Sequence, residues 1–214
     1  MDVLVRKAIP FEEVDTATLR QALSGYASPD DKIGDMVRQG ELIRLRRGFY
    51  AVAPAYRQKP LSLEIIANRL YGPSYLSMEY ALSWHGMIPE RVTELTSVCL
   101  GRSRSFNTEV GIFSFISVKQ LTYAEGYDLF DLPDGRHFLM AVREKALVDI
   151  IANRRNVSLT SVGEVRTRLL DDLRMDTATL LDLDLERVER FSELYGSMKT
   201  GLLAKFLKNL VGEA

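Results

Sequence analysis

Arg44, Arg46 and Arg47 stand within four positions of one another in the run Glu41-Leu42-Ile43-Arg44-Leu45-Arg46-Arg47-Gly48-Phe49-Tyr50-Ala51-Val52. A guanidinium keeps its charge at any physiological pH and offers a planar fork of N–H donors, so three of them together suit the neutralisation of phosphates. Ile43, Leu45, Phe49 and Ala51 fall on one side of a period-2 pattern, and Arg44, Arg46 and Tyr50 on the other, which predicts a half-buried β-hairpin. Gly48 supplies the positive φ that a tight turn demands. The plainer reading of the same run is a surface hairpin whose arginines face water.

What precedes the hairpin decides how its arginines are presented. Asp15 is placed to cap a helix over Thr16 to Leu23 that ends by Gly25. Ser28-Pro29 opens a second helix, with serine as cap, proline at the first helical position and Asp30 and Asp31 at the positive end of the dipole; Gly40 stops it. Ile33, Met36 and Val37 form its apolar stripe and leave Lys32, Asp35, Arg38 and Gln39 outward. Two short helices and then a basic hairpin are the layout of a winged helix-turn-helix. In that layout the second helix enters the major groove and the wing lies along the DNA backbone. Phosphate contacts then fall to Arg44, Arg46 and Arg47, and base reading to Lys32, Arg38 and Gln39. Asp30, Asp31 and Asp35 resist this reading, because beside a polyanion a carboxylate can only accept hydrogen bonds, for instance from cytosine N4.

Composition narrows the classes. The chain has 214 residues, 46% hydrophobic and 27% charged, with a net charge of −1, as an ordinary globular protein would. A basic surface therefore has to be local, and it is: Arg38 to Lys59 holds six basic residues against the single acid Glu41. Compensating acids gather later, at Asp171, Asp172, Asp176, Asp182, Asp184 and Glu186. No apolar run approaches the roughly 20 residues of a membrane span, and the N-terminus lacks a signal-peptide core, so a cytoplasmic protein without membrane contact is expected. One cysteine, Cys99, excludes an internal disulfide, and His85 and His137 complete no zinc ligand set, so neither metal nor cofactor is expected.

Prolines 54 and 60 bracket a polar stretch that places a boundary near residue 55, dividing a DNA-binding domain, 1–55, from a second domain, 56–214. The second domain reads as mixed α+β with a helical C-terminal segment. Helices follow caps at Ser62 and Ser77; strands are expected over Val92 to Leu100, Ile112 to Val118 and His137 to Met140. From Val142 an amphipathic helix sets Lys145 four residues before Asp149. Beyond Asn156 only helices are expected, near Ser161 to Arg174, Asp184 to Tyr195 and Lys199 to Leu210, with a turn at Asp176-Thr177. No catalytic set emerges: Glu144-Lys145 lacks the spacer of a nuclease Glu-x-Lys, and there is neither a Gly-x-Ser-x-Gly elbow nor a phosphate-cradling glycine loop. His85 sits in the last turn of its helix, where an imidazolium suits the dipole. The basic loop Gly101-Arg102-Ser103-Arg104-Ser105 is a candidate contact, through Arg102 and Arg104, for phosphate or an acidic partner.

The run Arg38 to Tyr50 resembles the wing signature of AbiEi-type antitoxins of type IV toxin-antitoxin systems. Tyr75-Leu76-Ser77 with Ala81-Leu82 and His85-Gly86-Met87-Ile88-Pro89 resembles a second block of that family, and Glu144-Lys145-Ala146-Leu147-Val148-Asp149 a third, in matching order. The resemblance implies a non-enzymatic antitoxin and autorepressor. Its winged helix would bind operator DNA in its own promoter, and its second domain would counter a nucleotidyltransferase-like toxin, directly or indirectly. It also allows a monomer in solution that binds DNA repeats cooperatively. Three other classes stay open on the residues alone: a stand-alone winged-helix regulator, a protein-interaction module, which the three aspartates favour, and a nuclease of restriction-like fold.

Overall fold

The computed structural model describes residues 1–153 and 158–213; Asn156, where the expected all-helical part begins, lies outside them. The fold is α+β and opens with a winged helix-turn-helix. The Asp2 carboxylate caps helix α1 (Val3–Ala8), accepting from the Leu4 N–H at 2.7 Å. Strand β1 (Glu13–Asp15) follows, then α2 (Thr16–Ala22), capped by Asp15 through the Thr18 N–H at 2.8 Å, and α3 (Pro29–Arg38). Strands β2 (Leu42–Arg46) and β3 (Phe49–Val52) form the wing, and the sheet order is β1-β3-β2. Gly40 and Gly48 take φ of +69° and +79°, as the helix stop and the hairpin turn require. Ser28 does not cap α3: its hydroxyl donates to Asp31 at 2.6 Å.

The hairpin is more buried than a half-exposed pattern predicts. Leu42, Tyr50 and Val52 pack into a head core with Val5, Ile9, Val14, Leu19, Leu23, Ile33 and Met36. Leu45, Phe49 and Ala51 belong to the larger core of the rest of the chain, with Ile43 packed against it. All four residues of β3 are buried, because helices cover one face of the small sheet and the body covers the other.

The body is built on a six-stranded mixed sheet in the order β6-β7-β5-β4-β9-β8, comprising β4 (Ser74–Leu76), β5 (Leu95–Cys99), β6 (Arg104–Thr108), β7 (Gly111–Ser117), β8 (Tyr127–Asp131) and β9 (His137–Ala141). The expected strands correspond to β5, β7 and β9. β4 is too short, and β6 and β8 too polar, for periodicity to single them out; part of the basic loop Gly101 to Ser105 is strand β6. Helices α4 (Leu63–Leu70), α5 (Met78–Trp84), α6 (Gln120–Tyr123) and α7 (Arg143–Asn153) accompany the sheet. The helical C-terminal segment holds α8 (Val162–Thr167) with a π-helical turn at Arg168–Asp172, α9 (Thr177–Leu181) where a turn was expected, α10 (Leu185–Tyr195) and α11 (Met198–Glu213). No helix among the described residues is long and apolar enough to cross a membrane.

Two body residues act otherwise than their sequence positions suggest. Ser77 makes no side-chain cap for α5; its hydroxyl donates to Asp149 at 2.6 Å. His85 ends α5, but burial, outweighing its other influences, pulls its pKa below the ordinary imidazole value, so the neutral ring is favoured over the imidazolium. The neutral ring then donates from Nε2 to the Ala141 carbonyl at 2.8 Å. The folded protein therefore resists taking up a proton that the unfolded chain accepts near about pH 6.5. This contribution is complete above that pH and is lost as pH falls towards the lowered folded pKa. Urea midpoints at pH 7.5 and 5 should diverge more for the wild type than for His85→Gln, and equal acid sensitivity in the two would refute the assignment.

Candidate nucleic-acid interface

The wing tip is anchored before it can present anything. The Thr16 N–H donates to the Gly48 carbonyl at 3.1 Å, which ties the turn to the start of α2. Between α3 and the wing lies an open groove of about 590 Å³, lined among others by Arg20, Arg38, Arg44, Arg47 and Tyr50. The structure thus brings Arg38 of α3 together with Arg44 and Arg47 of the wing, and adds Arg20 from α2. Sequence reasoning missed Arg20 because helical periodicity shows only that it is outward, not that α3 lies opposite it.

Two of the three acids of α3 are answered by arginines of the head. Arg20 grips Asp30 through two hydrogen bonds of 2.7 Å, and this grip holds the Asp30 carboxyl below the ordinary carboxylate value. Asp35 pairs with Arg38 and Asp31 accepts from Ser28. Arg44 and Arg47 have no carboxylate partner among the described residues and are exposed, so their charge is available to an anion. The unpaired positive charge of the groove therefore sits on the wing, while two of the three aspartates of α3 are matched by arginines.

Arg46 does not join the groove. The register places Arg44 opposite Tyr50 and Arg46 opposite Phe49, with an irregularity between, so one extra residue, Leu45, interrupts the alternation. Arg46 consequently turns to the body side: its guanidinium lies 5.7 Å from the Phe49 ring centre and donates to the Arg69 carbonyl, at the end of α4, at 3.1 Å. Lys32 is also outside the groove, 5.5 Å from the Tyr26 ring centre. Gln39 is the exposed C-cap of α3, and Arg102 and Arg104 lie on the body, exposed. Among the described residues, no three His, Cys, Asp or Glu side chains stand close enough to share a metal ion.

Head and body meet through charged contacts as well as the shared sheet face. Arg69 bonds Asp15 at 2.7 Å and lies 4.8 Å from the Phe49 ring centre. Arg136 pairs with the buried Glu13 and lies 4.8 Å from the ring centre of Phe11.

Residues 12–53, the segment from β1 through the wing, match the model of a family described as a transcriptional regulator, AbiEi antitoxin. The matched segment contains every element that lines the groove. No curated protein matches the chain.

Proposed function

We propose that the chain is a type IV antitoxin and transcriptional autorepressor, with a DNA-binding head, residues 1–55, on a body, residues 56–214, that counters a nucleotidyltransferase-like toxin. The observation that carries this reading is the arginine-lined groove between α3 and the wing, inside the segment that matches the AbiEi regulator family. Arg44 and Arg47 bind the phosphates of operator DNA. Arg38 reads a base or a phosphate once DNA displaces Asp35, while Lys32 and Gln39, outside the groove, contribute at its margins.

The pairing of Asp30 with Arg20 weighs against a pure protein-interaction module, because that carboxylate does not repel DNA at full strength. Each phosphate contact contributes about 0.9 to the slope of log affinity against log salt. On a duplex from the chain's own promoter, Arg44→Ala with Arg47→Ala should weaken binding and lower that slope by about 1.8. Unchanged affinity and slope would reject the wing as the DNA contact. Co-expression with a nucleotidyltransferase encoded beside it tests the antitoxin half: growth should recover with or without a stable complex, and persistent toxicity would refute it.

A further inference from the structure

Arg46 is excluded from the groove, yet it is exposed and has no carboxylate partner among the described residues, and the surface it turns towards is also basic. From the Arg69 carbonyl that Arg46 engages, the chain runs to Tyr71, and the guanidinium of Arg104 lies 5.8 Å from the Tyr71 ring centre and 5.5 Å from that of Phe106. Gly101 abuts the same tyrosine so closely that a Cβ there would come within 2.3 Å of its hydroxyl. The loop bearing Arg102 and Arg104 is thereby held beside the end of α4. Residues 69–74 and 100–107, which build this surface, contain three arginines and no acid. Arg69 is itself matched by Asp15, which leaves Arg46, Arg102 and Arg104 as the outward charge.

We propose that Arg46, Arg102 and Arg104 form a second DNA-contacting track, which carries the sugar-phosphate backbone of duplex flanking the operator from the wing onto the body. The inference rests on the DNA-binding reading of the groove and extends it. The wing is the junction: the bulge at Leu45 sends Arg44 to the groove and Arg46 to the track. Stacking on Tyr71 and Phe106 holds the Arg104 guanidinium in place, so less side-chain freedom is lost when it meets a phosphate. β6 is also an edge strand, and the N–H groups along its outer side are placed to donate to phosphate oxygens. Contacts of this kind add affinity and fix orientation without reading sequence.

The full chain should be titrated against two promoter duplexes, the footprinted core of about one helical turn (~10 base pairs) and the same core with one further turn on each side. Wild type should bind the longer duplex more tightly and with the steeper salt slope. Arg102→Ala with Arg104→Ala should leave the core duplex unaffected and lower the slope on the longer one by about 1.8. Arg46→Ala should likewise spare the core duplex and lower the slope on the longer one by about 0.9, and Arg102→Lys with Arg104→Lys should restore the slope. If the alanine pair binds the longer duplex as wild type does while Arg44→Ala with Arg47→Ala weakens both, the track is refuted and the groove reading survives. If the groove variant weakens neither duplex, the DNA-binding reading fails and the track fails with it.

Discussion

Phe49→Ala should cost about 3–5 kcal/mol of folding stability, the loss typical of truncating a buried phenylalanine in a core that cannot fully collapse. Phe49 is 1% exposed and belongs to the body core although it is a residue of the wing. Its ring carries the Arg69 guanidinium on one side and has Arg46 close by, so truncation leaves a cavity where head and body join and removes the surface on which both cations rest. Urea denaturation of the full chain measures the loss, and a change below about 1 kcal/mol would show that the junction is loosely packed. The same geometry predicts that residues 1–60 alone expose Leu45, Phe49 and Ala51 to water and melt without a sharp transition. A sharp, cooperative melt of that fragment would show instead that the head needs no support from the body.

Much of the head was legible because its signals are local. Asp15 as a cap, Gly40 as a stop and Gly48 as a turn each act within a few residues, and α2, α3 and the wing stand where those signals put them. The separation of Arg44 from Arg46 onto opposite faces was not recoverable, since a one-residue bulge inverts the period without any mark in the residue types. Short elements escaped for a related reason: α1 displays Val3 and Leu4 to solvent, so it carries no amphipathic stripe to read. Ser77 shows the limit of cap reasoning, because a hydroxyl before a helix can serve the backbone or a distant side chain, and here Asp149, 72 residues away, takes it. In the groove, the wing arginines could be named from sequence. Arg20 and the neutralisation of Asp30 could not, since both depend on how α2 meets α3.

A welded head has a consequence for regulation. Because β3 is buried between the head helices and the body, a change in the body that shifts α4 displaces Arg69, and with it the surface under Phe49 and the carbonyl that holds Arg46. Anything that binds the body and moves this helix would alter both the wing and the track. DNA affinity and body occupancy would then be linked reciprocally.

Asp149→Ala should destabilise the protein by about 3–5 kcal/mol, because it strands a charged amine in the interior. In sequence, Lys145 and Asp149 look like an ordinary pair one turn apart on a helix face. In the fold both side chains are fully buried and form an ion pair. Ser77, before α5, and Tyr75 of β4 donate to one Asp149 oxygen, at 2.6 and 3.3 Å, and Tyr195 of α10 donates to the other at 2.6 Å. Asn153 in turn donates to the Tyr195 hydroxyl at 2.9 Å. Burial, reinforced by the Asp149 charge, pushes both phenols far above the ordinary tyrosine value, so the protonated, donating forms are favoured. The lysine stem is confined as well, since a Cβ at Gly126 would lie 2.7 Å from its Cγ. The network thus joins the central sheet, α7 and α10 through a single carboxylate, and its partners lose their acceptor together when it goes. Lys145→Met with Asp149→Leu removes both charges and fills the space but still leaves the three hydroxyl donors without their acceptor, so the double variant should recover only part of the stability that Asp149→Ala loses. Urea midpoints of Lys145→Met, Asp149→Leu and the double close the cycle. Additive losses would mean that the pair is not coupled and that the buried charges are compensated by other groups.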